Sequence, residues 1–130
     1  MKLLVGYKGT NVGKDLLDLA AKYHKAFGGE VVLATSMIGG EKSTQEKIVE
    51  AEANLVEASA YLNAQGVRHN THLLIRGKSP GEDLVDYATE NSCDAIMIGV
   101  KSRSKVGKIL FGSTAQYVIL KAPCPVISVK

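Results

Sequence analysis

A chain of 130 residues with 45% hydrophobic and 22% charged side chains is long enough to bury one core and too apolar to stay disordered. Its formal charge of +3 is too small to call for nucleic acid, and no apolar run approaches the roughly 18 residues needed to span a bilayer. Met1 leads into a strand pattern with no basic-then-apolar leader, so the expectation is one cytoplasmic domain over residues 1–130.

Two periodicities alternate along the chain. Leu3 to Tyr7 is a short apolar run that stops at Lys8-Gly9-Thr10-Asn11, a buried strand entering a loop. Leu16, Ala20, Tyr23 and Phe27 follow helical spacing until Gly28-Gly29. Val31 to Thr35 reads as a second strand running on towards Met37-Ile38, broken by Gly39-Gly40. Ser43 and Glu46 have the spacing of a capping box, in which a hydroxyl and a carboxylate reciprocally satisfy free N–H groups at a helix start. The helix they open carries Ile48, Ala51, Leu55, Ala58 and Leu62 on one stripe and ends at Gly66.

The third strand covers about Arg68 to Ile75. Ser79, Pro80 and Glu82 then suggest a second capping box, with proline at the first helical position. Asp94 to Gly99 is the fourth strand, apolar on both faces. Gly112-Ser113-Thr114 opens the last helix, Pro123 ends it, and Pro125 to Val129 is the fifth strand. Strands alternating with helices, with near-continuous apolar inner strands, predict an α/β fold: a parallel sheet covered by helices on both faces. Ligands of such sheets gather beyond the carboxyl ends of the strands, where the winding direction reverses.

The stretch after the fourth strand carries the most chemistry. Lys101, Arg103, Lys105 and Lys108 stand there without an acid among them. Gly99 ends a strand where a missing side chain lets a sugar or phosphate approach the backbone. Gly112-Ser113-Thr114 begins a helix, whose unpaired N–H groups and positive dipole end suit phosphate oxygens. A solvated basic loop with Ser113 as a plain N-cap is the competing reading.

Other signals carry less. Gly9-Thr10-Asn11-Val12-Gly13-Lys14 resembles a phosphate-binding P-loop, but its spacer is short and Asp15 stands where a magnesium-binding hydroxyl belongs. His69 and His72 lie on opposite faces of a strand and cannot share a metal; with His24 they read as surface residues. Cys93 and Cys124 are too far apart for a Cys-x-x-Cys motif and read as buried thiols. No Ser, His and Asp set is placed for nucleophilic catalysis, and no general base is placed for hydrolysis.

A strand-ending glycine, two residues, a glycine, nine residues and Gly-Ser/Thr is similar to the nucleotide-binding signature of the universal stress protein family. Gly99 takes its first position and Gly112-Ser113 its last. The resemblance extends to the strand 1 exit from Val5 to Thr10, the Gly77-to-Pro80 turn, and the Pro123-to-Val129 end. It implies a five-stranded sheet in the order 3-2-1-4-5, the fold shared with adenine nucleotide alpha hydrolases.

The resemblance also implies a ligand: ATP or AMP/ADP, with Mg²⁺ an optional companion. The base would lie at Gly6, Tyr7, Lys8 and Thr10 and against the backbone around Ser36. Ribose would lie at Gly99, and the phosphates at Lys101, Ser102, Arg103, Gly112, Ser113 and Thr114. It implies a homodimer through Val126 to Val129, with neither nucleic acid nor membrane as partner. Two positions depart from the pattern: Ser102 replaces the second glycine, and Lys8 stands where nucleotide-binding members carry an aspartate. Both favour an alternative reading, an interaction module of the same fold that binds no nucleotide. ATP hydrolysis is a third reading, for which the sequence names no residue.

Overall fold

A computed structural model of the chain describes residues 1–9, 13–100 and 112–130. Strands β1 (Lys2–Gly6), β2 (Glu30–Met37), β3 (His69–Ile75), β4 (Ala95–Gly99) and β5 (Val126–Val129) form one sheet in the order β3-β2-β1-β4-β5. Every neighbouring pair is parallel. Helices α1 (Gly13–Phe27), α2 (Gln45–Ala64), α3 (Pro80–Glu90) and α4 (Ser113–Lys121) cross between the strands.

Alternation along the strands divides the core into two layers. Leu3, Val5, Val31, Leu33 and Met97 meet Leu16, Leu17 and Ala20 of α1 and Leu55, Ala58 and Leu62 of α2. Leu4, Val32, Ile96 and Ile98 meet Leu84, Val85 and Ala88 of α3 and Ala115 and Val118 of α4. The central strands are apolar on both faces because both faces are covered. Burial of one such side chain contributes about 1.5–3 kcal/mol, which makes β1 the spine of the molecule.

The helix boundaries differ in detail from the sequence pattern. The N-cap of α2 is Thr44, whose hydroxyl accepts from the Lys47 N–H. Ser43 instead accepts from the Gly39 N–H at 2.8 Å, clamping the short 3₁₀ turn at Gly40–Lys42 and removing it from the expected capping box with Glu46. Ser79 does cap α3 by position, but its side chain makes no capping bond, so the second box does not form either. Phe27 is 62% exposed, with its ring tilted against that of Tyr23 at a centroid distance of 5.8 Å. His69 is half-buried, bonded to the Ser59 hydroxyl and the Val67 carbonyl. Cys93 is buried as expected, whereas Cys124 is only half-buried.

Candidate functional site

The winding direction reverses between β1 and β4: the chain leaves β1 for β2 on one side, and β4 pairs with β1 on the other. Gly6 of β1 lies opposite Ile98, so the carboxyl ends of the two strands open side by side. A Cβ at Gly6 would stand 2.9 Å from Leu84 Cδ1 of α3, so the leucine would have to shift to admit one.

Beyond Gly6 the chain is held to β2. The Tyr7 N–H donates to the Ala34 carbonyl at 2.9 Å, and the Tyr7 carbonyl accepts from the Thr35 hydroxyl at 2.7 Å. The Tyr7 ring packs under Gly13, the first residue of α1. Burial, and then the nearby Glu57 carboxylate, push the Tyr7 phenol above its ordinary range. Lys8 is exposed. Gly9 follows in the left-handed region at φ 69°, with the Asn54 side chain of α2 where a Cβ would go, so no other residue fits that turn easily. Thr10 lies outside the described residues.

β2 reaches further than β1. Pairing between them ends at Gly6 and Ala34, while β2 continues to Met37 against Ile75 of β3. The Ala34 carbonyl faces β1, so by the period of a strand the Ser36 carbonyl faces the same side, past the end of the β1 pairing. Below it the Ser36 hydroxyl donates to Asp83 Oδ2 at 2.6 Å. Asp83 is fully buried in the first turn of α3, and its Oδ1 accepts from Arg76 Nε at 2.6 Å. Arg76 also donates to the Asp83 carbonyl and to Glu90, and lies over the Tyr87 ring at 5.9 Å. Burial works against the charged guanidinium, but the Asp83 bond and charge outweigh it and raise the Arg76 pKa. The sequence gives no hint of this cluster, because Asp83 looks like any acid in a helix's first turn.

On the β4 side, Gly99 pairs with Val129 and the buried Val100 donates to the Val129 carbonyl at 2.7 Å. Lys101, Ser102 and Arg103 lie outside the described residues, as do Lys105 and Lys108. The chain returns at Gly112, the N-cap of α4, with φ −66° and ψ 158° and no side-chain cap. The first helical bond runs from Gln116 N–H to the Gly112 carbonyl, which leaves the N–H groups of Ser113, Thr114 and Ala115 ahead of it. A helix crossing between parallel strands starts at their carboxyl ends, so these donors lie at the end of the sheet that carries Gly6, Ser36 and Gly99. Among the described residues no group of His, Cys, Asp and Glu could hold a metal ion, and no helix is long and apolar enough to cross a membrane.

The family model for the universal stress protein family matches residues 1–130. The chain belongs to that family. A universal stress protein of Archaeoglobus fulgidus is 38% identical, with a TM-score of 0.92 over 99% of this chain and 97% of that one. A second structure from Archaeoglobus fulgidus, a universal stress protein in complex with dAMP, is 35% identical with a TM-score of 0.84, covering 99% and 96%. A universal stress protein of Thermus aquaticus is 27% identical over 98% of this chain and 97% of its own length. The strand order expected from the resemblance is the order found.

Proposed function

We propose that this universal stress protein binds an adenine nucleotide across the carboxyl ends of β1 and β4, as a single domain of 130 residues. The observation that carries the reading is the overhang of β2 past β1, which offers the Ser36 main chain to a base at the end of the sheet where α4 begins. A carbonyl there accepts from the 6-amino group of adenine and meets the 6-carbonyl of guanine as a like dipole. Tyr7 and Lys8 border the base, Gly99 leaves room for ribose, and the N–H groups at Ser113 and Thr114 take phosphate oxygens. Thr10, Lys101, Ser102 and Arg103 complete the set from the sequence pattern. Support also comes from the 35% identical relative whose structure is a dAMP complex.

The ligand is AMP, ADP or ATP, and any Mg²⁺ arrives with the phosphates. Binding needs only donors and shape; hydrolysis needs a placed base, and the reading here is of a cytoplasmic regulator rather than an enzyme. Its dimer forms through Val126 to Val129. Denaturing the purified protein and separating the supernatant by chromatography tests the reading: AMP, ADP or ATP is expected. Protein that releases none, and that gives no heat on titration with AMP or ATP, refutes it. That result would favour the second reading, a nucleotide-free interaction module, for which Lys8 and Ser102 speak.

A further inference from the structure

Thr35 and Ser36 are tied down on opposite faces of the sheet. Thr35 donates its hydroxyl to the Tyr7 carbonyl on one side, and Ser36 donates to Asp83 on the other. Ordinary strand pairing does not need both ties, because β3 already pairs with β2 as far as Met37. What β3 does not hold is the other edge of β2, where β1 has ended. The two hydroxyls sit at that overhang.

Asp83 has the features of an anchor. It is fully buried, and its two oxygens are divided between Ser36 and Arg76, each at 2.6 Å. Its main chain is fixed as well: the N–H donates to the Ser79 carbonyl at 2.9 Å, and the carbonyl accepts from Arg76 Nη2. One carboxylate therefore joins the end of β2, the residue just past β3 and the first turn of α3. A buried carboxylate whose oxygens both accept charged or hydroxyl donors cannot shift without leaving a donor unpaired, so the tie is stiff.

We infer that Asp83 is a positioning residue for base recognition, holding the Ser36 main chain through the Ser36 hydroxyl so that the nucleotide's base is read against a fixed carbonyl. This rests on the nucleotide-binding reading above and adds to it a control on base selectivity. Asp83 does not touch the ligand; it acts through Ser36.

Calorimetric titration with AMP and with GMP tests the inference in wild type, Ser36→Ala, Ser36→Thr, Asp83→Asn and Ser59→Ala. Ser59→Ala is the control, since it removes another half-buried serine bond, the one to His69, away from this end of the sheet. Ser36→Ala is expected to weaken AMP about tenfold and to shrink the preference for AMP over GMP, the scale of one lost hydrogen bond to a charged partner. Ser36→Thr keeps the hydroxyl and restores both. Asp83→Asn follows Ser36→Ala in direction. Ser59→Ala changes melting temperature without changing either affinity. A Ser36→Ala protein that keeps wild-type AMP affinity and AMP-over-GMP preference overturns the positioning role alone. A wild-type protein that takes up no AMP overturns the nucleotide reading and this inference together.

Discussion

Gly81 of α3 lies so close to Tyr117 of α4 that a Cβ on the glycine would stand 2.8 Å from the tyrosine's own Cβ and 3.3 Å from the Thr114 carbonyl. The two helices covering one face of the sheet thus meet through bare backbone, and the contact sets where the first turn of α4 sits.

Gly81→Ala therefore opposes two effects. Alanine raises helix propensity by about 1 kcal/mol. Forcing a methyl group against a backbone-proximal Cβ costs about 1–3 kcal/mol, because neither atom is the free end of a flexible chain. The steric cost wins, and the melting temperature should drop by a few degrees, about 4 °C per kcal/mol in a domain of this size. Thermal unfolding followed by circular dichroism checks it. An unchanged or raised melting temperature would mean that α3 and α4 separate freely.

Gly112 offers a test in which stability and binding move oppositely. Its φ and ψ lie in the extended region open to any residue, and it makes no side-chain cap. Aspartate there would accept from the N–H groups of the first turn and favour the positive end of the helix, adding about 0.5 kcal/mol to stability. The same carboxylate would occupy the donors proposed for phosphate and repel it. Gly112→Asp should melt higher than wild type and bind ATP at least about tenfold more weakly. Equal ATP affinity in the two proteins would remove the start of α4 from the site.

The fold was legible because its strongest signals are periodic. Buried strands such as Leu3 to Val5 and Ala95 to Ile98 have no polar interruptions, and glycines at 28, 66 and 77, all with positive φ, punctuate the elements. Capping was less legible. Ser43 and Thr44 are both good N-caps by type, and tertiary context decided between them by giving Ser43 the Gly39 N–H instead. The least legible feature was the Ser36–Asp83–Arg76 cluster, since its members lie on β2, on α3 and just past β3, and no local spacing links them. At the candidate site the sequence shows Gly6 as the end of a strand but not that Leu84 of α3 lies beneath it.

The thiols and phenols predict how stability depends on pH. Burial raises the Cys93 pKa above the ordinary thiol value of 9.0, with Lys2 opposing and Cys124 adding to the shift, and burial followed by the Asp94 charge raises Cys124. Burial likewise raises Tyr7 and Tyr87 from 10.0. An acid whose pKa is raised on folding keeps its proton in the native state while the unfolded chain loses it, so the native state binds more protons above the unfolded pKa. Stability should be insensitive to these groups at neutral pH and fall as pH climbs past about 9. Urea midpoints at pH 7.5 and pH 10 would measure the fall. Cys93→Ala should start from a lower midpoint and lose less between the two. An identical loss in both proteins would clear Cys93 of any part in it.

The last prediction concerns β5, which ends the sheet with one edge unpaired by any strand of its own chain among the described residues. Such an edge presents a row of N–H and C=O groups ready to pair with another chain. Val126, Ile127, Ser128 and Val129 carry no charge to discourage it, and Pro125 lies just before the strand, where its missing donor limits pairing only at the start. A two-fold axis makes the strand antiparallel to its own copy, so residue i of one strand faces residue j of the other and j faces i, and any substitution enters the short interface twice. Ile127 and Val129 pack on the layer under α1 and α2, and Val126 on the layer under α3 and α4, so the side chains of the proposed interface also seal the sheet's own margin. Ile127→Lys and Val129→Lys therefore bring like charges together and expose the margin at once, and each should convert a dimer into a monomer. Ser128→Lys points an exposed position into the same interface and separates the two effects, because it costs the monomer's core nothing. Sedimentation velocity at micromolar concentration reads all three. Wild-type protein that sediments as a monomer rejects the interface outright, and a Ser128→Lys dimer as tight as wild type would move it away from β5.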